Sequence, residues 1–226
     1  MNSINEKIFK INQKQNFIFD LDGTLADSMW VWDNLLIDFL AEYGYTASDE
    51  LLDEVAYMSM EQSSARVCEL FDLPMSPEGI INRWTDMIYD SYAHKIRLKS
   101  GAAEYLEYLK KNGKALALAT ASSRELAEAC LKNNGVLEFF DVLTYADEVG
   151  EGKSSPKIYC ETLRRLNASA ADSVLFEDIL VGLKTASGIG LDVVIVEDKA
   201  AREDKAQLME QAYLYIKDFY GLGFKA

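Results

Sequence analysis

Phe17-Ile18-Phe19 is an uninterrupted apolar run that stops at two carboxylates one residue apart, Asp20 and Asp22, followed by Gly23 and Thr24. A strand with no polar face belongs in a parallel sheet covered on both sides. Such a strand delivers whatever follows it to the carboxyl edge of the sheet, where α/β folds bind ligands. Within a strand, residues i and i+2 face the same way, but past its end the backbone can turn. Asp20 and Asp22 can therefore take different tasks around one reacting atom. One could attack or hold a metal while the other moves a proton.

The remaining pattern says what kind of sheet this is. Ile4, Ile8 and Ile11 recur at helical spacing ahead of the first strand, which is read as residues 17–20. Residues 29–43 are apolar around nearly the whole circumference, as in a helix contacted on several sides, and Gly44 ends them. Residues 48–93 read as three more helices, split at Leu73-Pro74-Met75-Ser76-Pro77, with no strand-like alternation.

From Leu98 the texture changes. Helices are expected at 101–112, 124–134, 156–166, 179–188 and 200–211. They alternate with strands at 115–120, 142–145, 173–176, 193–196 and 213–216, and a loop runs through Gly152. Alternating strands and helices specify α/β architecture with a doubly wound parallel sheet, Rossmann-like in type. The right-handed crossover rule lets the first strand join it across about seventy helical residues. The expected organisation is a discontinuous core, residues 1–26 and 98–226, with a helical cap of residues 27–97 inserted.

Charge and composition narrow the partners. At 226 residues and 49% hydrophobic the chain can bury a substantial core. A net charge of −14 repels phosphate backbones and acidic membrane faces, so neither nucleic acid nor lipid is an expected partner. No apolar run reaches the roughly 18 residues of a membrane span, and the polar start lacks a signal-peptide core, so a cytoplasmic protein is expected. Cys68, Cys130 and Cys160 are odd in number and far apart, which fits buried free thiols rather than disulfides or a zinc site. The oligomeric state is not legible.

The carboxyl ends of the other strands carry the chemistry. One delivers Thr120, then Ala121, Ser122 and Ser123 at a helix start; the loop after Tyr145 delivers Lys153; another strand delivers Glu177 and Asp178. Carboxylates gathered this closely repel one another without a cation, and hard oxygen ligands suit Mg²⁺. Mg²⁺ prefers few protein carboxylates together with substrate phosphate, so a phosphoryl group is the natural ligand. Thr120 and Lys153 would hold and neutralise its oxygens.

At these four stations the sequence resembles the haloacid dehalogenase superfamily, in particular its helical-cap branch that includes β-phosphoglucomutase-like phosphatases. Residues 20–28, Asp-Leu-Asp-Gly-Thr-Leu-Ala-Asp-Ser, resemble its first motif and Leu118-Ala119-Thr120 its second. Lys153-Ser154-Ser155-Pro156 resemble the third, and Phe176-Glu177-Asp178 with Gly182 the fourth. The resemblance implies that Asp20 attacks phosphorus to form an aspartyl-phosphate, and that Asp22 protonates the leaving oxygen and then activates water. It implies Mg²⁺ held by the side chains of Asp20 and Asp178 and the backbone carbonyl of Asp22. Thr120 and Lys153 match its phosphoryl-binding residues, Ala121 follows at the same turn, and Lys153 also positions Asp20. Glu177 is expected behind these, orienting a neighbour or the metal's water.

Two departures stand out. Ser154 replaces the proline that usually follows the lysine, and Lys157 replaces an acid after the second proline. The mutase members carry a histidine in the first cap helix where this chain has Trp32, which weighs against a phosphomutase. A phosphoaspartate signalling module would share the acids, the threonine and the lysine, but needs no seventy-residue cap.

Between Ser28 and Leu98 there are thirteen acids and four permanent cations. An acidic cap disfavours a second phosphate unless Arg66 or Arg83 meets it. Trp32 and Arg66 are the expected specificity residues, with Trp30, Met58 and Met60 as further candidates for the pocket wall. His94 is expected to be structural, and Asp27 either caps the following helix or joins the site. The expected activity is a Mg²⁺-dependent phosphatase acting on a small phosphorylated metabolite, such as a sugar or polyol monophosphate.

Overall fold

A computed structural model describes residues 4–55 and 58–224. The chain divides into two compact units, Met1–Ser28 with Ile96–Ala226, and Met29–Lys95. In chain order, α1 (Ile4–Gln13) and β1 (Asn16–Phe19) precede the second unit, which holds α2 (Met29–Glu42), α3 (Asp49–Val55), α4 (Met60–Leu70) and α5 (Pro77–Asp90). There follow α6 (Ala102–Lys111), β2 (Ala115–Thr120), α7 (Arg124–Asn133), β3 (Val142–Tyr145) and α8 (Ala146–Val149). The chain closes with α9 (Lys157–Leu166), β4 (Ser173–Glu177), α10 (Leu180–Gly188), β5 (Asp192–Val196), α11 (Lys205–Gln211) and β6 (Leu214–Ile216).

The six strands form one parallel sheet in the order β3-β2-β1-β4-β5-β6. The winding reverses at β1, which has β2 on one side and β4 on the other, so the crevice where such folds bind ligands opens at the end of β1. Register sets what meets there. Phe19 is opposite both Leu118 and Phe176, so Asp20 leaves β1 level with Ala119 and Glu177.

Both faces of the sheet are covered, as the unbroken apolar run of β1 requires. Ile18, Ala117, Leu175 and Ile195 pack with Ile158 and Leu163 of α9, Leu183 of α10 and Leu208 of α11. The opposite face is aromatic: Phe19 stacks on Phe176 at 4.7 Å, and Tyr105 of α6 and Phe219 close over Phe176. Fully burying one such aromatic side chain contributes about 1.5–3 kcal/mol.

The helical unit has its own core of Leu36, Phe39, Leu40, Leu51, Val67, Ile80 and Trp84. Its helix starts follow from local chemistry. Ser59 and Gln62 form a reciprocal capping box on α4, and Ser76 caps α5 with Pro77 in its first turn. At the end of α5 the chain widens into a π-helical turn, Ser91–Lys95, which contains the exposed His94.

Local departures from the periodicity have identifiable causes. The expected loop after β3 begins with the single turn α8, closed by Gly150. The expected helix at 200 starts at Lys205, because Asp198 accepts a hydrogen bond from the Ala200 N–H and draws the chain into a turn. Burial of all three thiols is corrected: Cys130 is buried and Cys68 partly so, but Cys160 is exposed. It lies on the outer face of α9, turned away from the stripe of Ile158, Tyr159 and Leu163.

Candidate active site

Every residue of this site lies in the α/β unit. Asp20 follows β1 and is 2% exposed. Its Oδ1 receives the Lys153 ammonium at 2.5 Å, while its Oδ2 is buried with no hydrogen-bond partner. Lys153, in the loop before α9, is also 2.6 Å from Oε1 of Glu177 at the end of β4. One buried cation thus bridges two buried carboxylates.

Glu177 is fully committed. Its Oε1 accepts from Lys153 and from the Tyr159 hydroxyl at 3.2 Å, and its Oε2 accepts from the backbone N–H groups of Asp178 at 2.8 Å and Ile179 at 3.1 Å. This saturates its lone pairs and orients Lys153 toward Asp20. Asp178 takes a 3.0 Å hydrogen bond from the Thr24 hydroxyl on Oδ1.

Among the described residues, Asp20, Glu177 and Asp178 place carboxylate oxygens within 4.8 Å of one another. Burial pushes the Asp20 carboxyl up to about 7, against the pull of Lys153 and with a further push from Glu177 and Asp22. Asp178 lies well above the usual carboxylate range, first through burial and then through the charges of Glu177 and Asp20. Burial alone would depress the Lys153 ammonium, but Asp20 and Glu177 hold it well above its ordinary value. The site is short of positive charge, and its free buried oxygen belongs to Asp20. A divalent cation fits that donor set.

Asp22 has different company. Ser28 donates to its Oδ1 at 2.7 Å and Ser122 to its Oδ2 at 2.5 Å. Its carboxylate is only partly buried, and it stands outside the three-carboxylate group. Gly23 makes the turn between the two acids possible. It has φ +74°, and a Cβ there would collide with the carboxylate of Asp178. Residues 21–26 then fold back: Ala26 N–H bonds Leu21 O at 2.8 Å, and Ala26 bridges to Leu98.

Thr120 ends β2, fully buried, with its hydroxyl oxygen accepting from Ser122 N–H at 3.0 Å. Ala121 follows, exposed, just before α7, which Ser123 caps. Ser154 and Lys157 are both exposed, and Lys157 pairs with Glu151 at 2.7 Å.

In the helical unit, Trp32 is 42% exposed and lines a cavity, whereas Arg66 is held by Glu54 at 2.7 Å and Glu69 at 3.2 Å. Arg83 is likewise gripped by both oxygens of Glu42.

Residues 24–28 read from the sequence as a hinge into the helical segment, and no side-chain contact was legible for Ser28, Ser122, Thr24 or Tyr159. The first three stand within or beside the motifs quoted for the site. Tyr159 reads only as one apolar position of an amphipathic helix.

The family of haloacid dehalogenase-like hydrolases matches residues 17–196 of the chain. The chain belongs to that family. The phosphorylated carbohydrates phosphatase of Thermotoga maritima is 26% identical over 200 residues, covering 88% of this chain and 93% of that protein. The bifunctional riboflavin kinase/FMN phosphatase of Arabidopsis thaliana is 28% identical over 180 residues, covering 79% of this chain; the chain spans 47% of that protein's length. Among solved structures, CbbY from Rhodobacter sphaeroides in complex with phosphate superposes with a TM-score of 0.70 at 26% identity, covering 93% of this chain and all of that one.

Proposed function

We propose that the chain is a phosphoric monoester hydrolase that cleaves a small phosphorylated metabolite through a phosphoryl–Asp20 intermediate, with Mg²⁺ as its metal. The observation that carries this is the state of Asp20. Lys153 holds one carboxylate oxygen, and the other is buried and free beside Asp178. An oxygen held in that way is positioned to attack rather than merely to cap a turn.

In the first step a carboxylate oxygen of Asp20 forms a bond to phosphorus as the bond to the leaving oxygen breaks, and Asp22 gives that oxygen its proton. In the second, Asp22 takes a proton from water, the water oxygen bonds to phosphorus, and the Asp20–phosphorus bond breaks to release phosphate. Splitting the displacement in two gives each half a positioned acid or base. The side chains of Asp20 and Asp178, with the Asp22 carbonyl, would hold Mg²⁺, which neutralises phosphate charge and orients the group. Lys153 and the Thr120–Ala121 turn take the remaining oxygens. Thr120 and the N-terminus of α7 offer a hydroxyl and backbone N–H groups for that purpose.

Residues 27–97 are assigned the choice of the organic group. An uncharged organic part, as in a sugar or polyol monophosphate, suits the acidic composition of that segment, and the Thermotoga relative's name records phosphorylated carbohydrates. The test is a Mg²⁺-dependent screen of phosphorylated metabolites that follows free phosphate and isomerised ester separately. Phosphate release with trapping of phosphate on Asp20 supports the reading. Isomerisation without release, or stable phosphorylation without turnover, overturns it.

A further inference from the structure

Tyr159 lies on the buried stripe of α9 with Ile158 and Leu163, and it has no exposed surface. A phenylalanine would fill that place in the core as well, and a buried hydroxyl is costly unless it finds a partner. The partner is Oε1 of Glu177, at 3.2 Å. Gly182 of α10 closes the space from the other side, because a Cβ there would strike the Glu177 carboxylate and come within 3.0 Å of the Tyr159 oxygen. The hydroxyl is seated against one carboxylate oxygen. Burial, and then the charge of Glu177, push it well above its ordinary pKa, so it keeps its proton and stays a donor.

That carboxylate oxygen also takes Lys153, at 2.6 Å. The same ammonium reaches Oδ1 of Asp20 at 2.5 Å, so two buried carboxylates compete for one cation across nearly equal distances. They do not compete on equal terms. Glu177 holds four donors: Lys153, the Tyr159 hydroxyl and the backbone N–H groups of Asp178 and Ile179. On Asp20, Oδ2 has none. Every donor on a carboxylate draws off part of its charge and weakens its hold on the others.

We infer that the Tyr159 hydroxyl is a positioning group for the nucleophile: by occupying Oε1 of Glu177 it weakens that carboxylate's hold on Lys153 and leaves the ammonium to Asp20. Without the hydroxyl, Glu177 draws Lys153 toward itself, and Asp20 loses the contact that fixes its orientation. Misplacing a reacting group slows the reaction even where substrate still binds. The Thr120–Ala121 turn keeps its own hold on the phosphoryl group, so the loss falls on kcat rather than KM. This kinetic consequence rests on the phosphatase reading; the effect on Lys153 does not.

The experiment uses the full chain with Mg²⁺ and p-nitrophenyl phosphate, or the best ester of the metabolite screen. Tyr159→Phe should lose about tenfold in kcat, the equivalent of one hydrogen bond to a charged group, with KM changed by less than about twofold. Glu177→Gln removes the competing charge, and in that background Tyr159→Phe should cost less than about twofold, because the hydroxyl acts through Glu177. An unchanged kcat in folded Tyr159→Phe, or the same loss in both backgrounds, overturns the inference.

A second readout needs no turnover and serves also where Glu177→Gln folds poorly. The side-chain ammonium signal of Lys153 in ¹H–¹⁵N NMR spectra of the full chain, assigned with Lys153→Arg, should move in Tyr159→Phe. A moved signal in a protein that hydrolyses no ester refutes the phosphatase reading alone. Hydrolysis of the ester by a protein whose Lys153 signal stays in place in Tyr159→Phe refutes the positioning role alone.

Discussion

The Ser122 hydroxyl donates a 2.5 Å hydrogen bond to Oδ2 of Asp22, one hundred residues earlier in the chain. The bond ties the proposed acid/base to the turn that follows Thr120. Proton transfer by a positioned group is worth about 10²–10⁴ in rate, so Asp22→Asn should lose turnover in that range. Ser122→Ala keeps the carboxylate but removes one restraint on it, and should lose less. Single-turnover kinetics distinguish the two, with phosphate trapped on Asp20 in the Asp22 variant.

Lys153 sits between Asp20 and Glu177, and all three are buried. Removing one partner of a buried pair typically costs about 3–5 kcal/mol, because the remaining charge is left uncompensated. Lys153→Ala should be destabilised by that order in urea unfolding without metal. A change at Arg164, an exposed residue paired among the described residues with Glu161 nearby in sequence, should be nearly silent.

Metal should stabilise the fold through Asp20 and Asp178. A ligand at one hundred times its dissociation constant adds about 2.7 kcal/mol, or roughly 5–10 °C in Tm for a domain of this size. Mg²⁺ should raise Tm and EDTA should reverse the rise. In Asp178→Asn, which also relieves repulsion between carboxylates, both effects should vanish while the metal-free Tm holds or rises.

Two glycines make room for the carboxylates. A Cβ at Gly23 would strike Asp178 from a backbone with φ +74°, and one at Gly182 would strike Glu177 and come within 3.0 Å of the Tyr159 hydroxyl. Gly23→Ala and Gly182→Ala should each reduce both Tm and activity. Tyr159→Phe, which removes only one of the donors on Glu177, should cost about 0.5–1.5 kcal/mol.

Thiol chemistry should separate the cysteines by burial. Burial pushes the Cys130 thiol up to about 12, so in the native protein it stays protonated and unreactive until strongly alkaline pH. At pH 8, Ellman's reagent should modify the exposed Cys160 quickly, and Cys130 only when the protein is unfolded. Rapid native labelling of Cys130, located by peptide mapping, would contradict this packing.

The amino-acid sequence was enough for everything that repeats locally. Strand and helix periodicities gave the α/β class and the helical insertion. The apolar run of β1 placed Asp20 and Asp22 at a strand end, other strand ends supplied Thr120, Glu177 and Asp178, and the loop before α9 supplied Lys153. Strand ends are readable because a covered parallel strand must be apolar throughout and must stop where polar groups begin. Tertiary structure decided who touches whom. It gave Lys153 two carboxylates, tied Tyr159 to Glu177, set Ser28 and Ser122 on Asp22, and used up Arg66 on Glu54 and Glu69. Most of these pairs join residues far apart in the chain, brought level by sheet order and register or by helix packing. A contact of that kind leaves no periodic trace in the chain, and so the free oxygen of Asp20 and the unmatched indole of Trp84 became visible only in three dimensions.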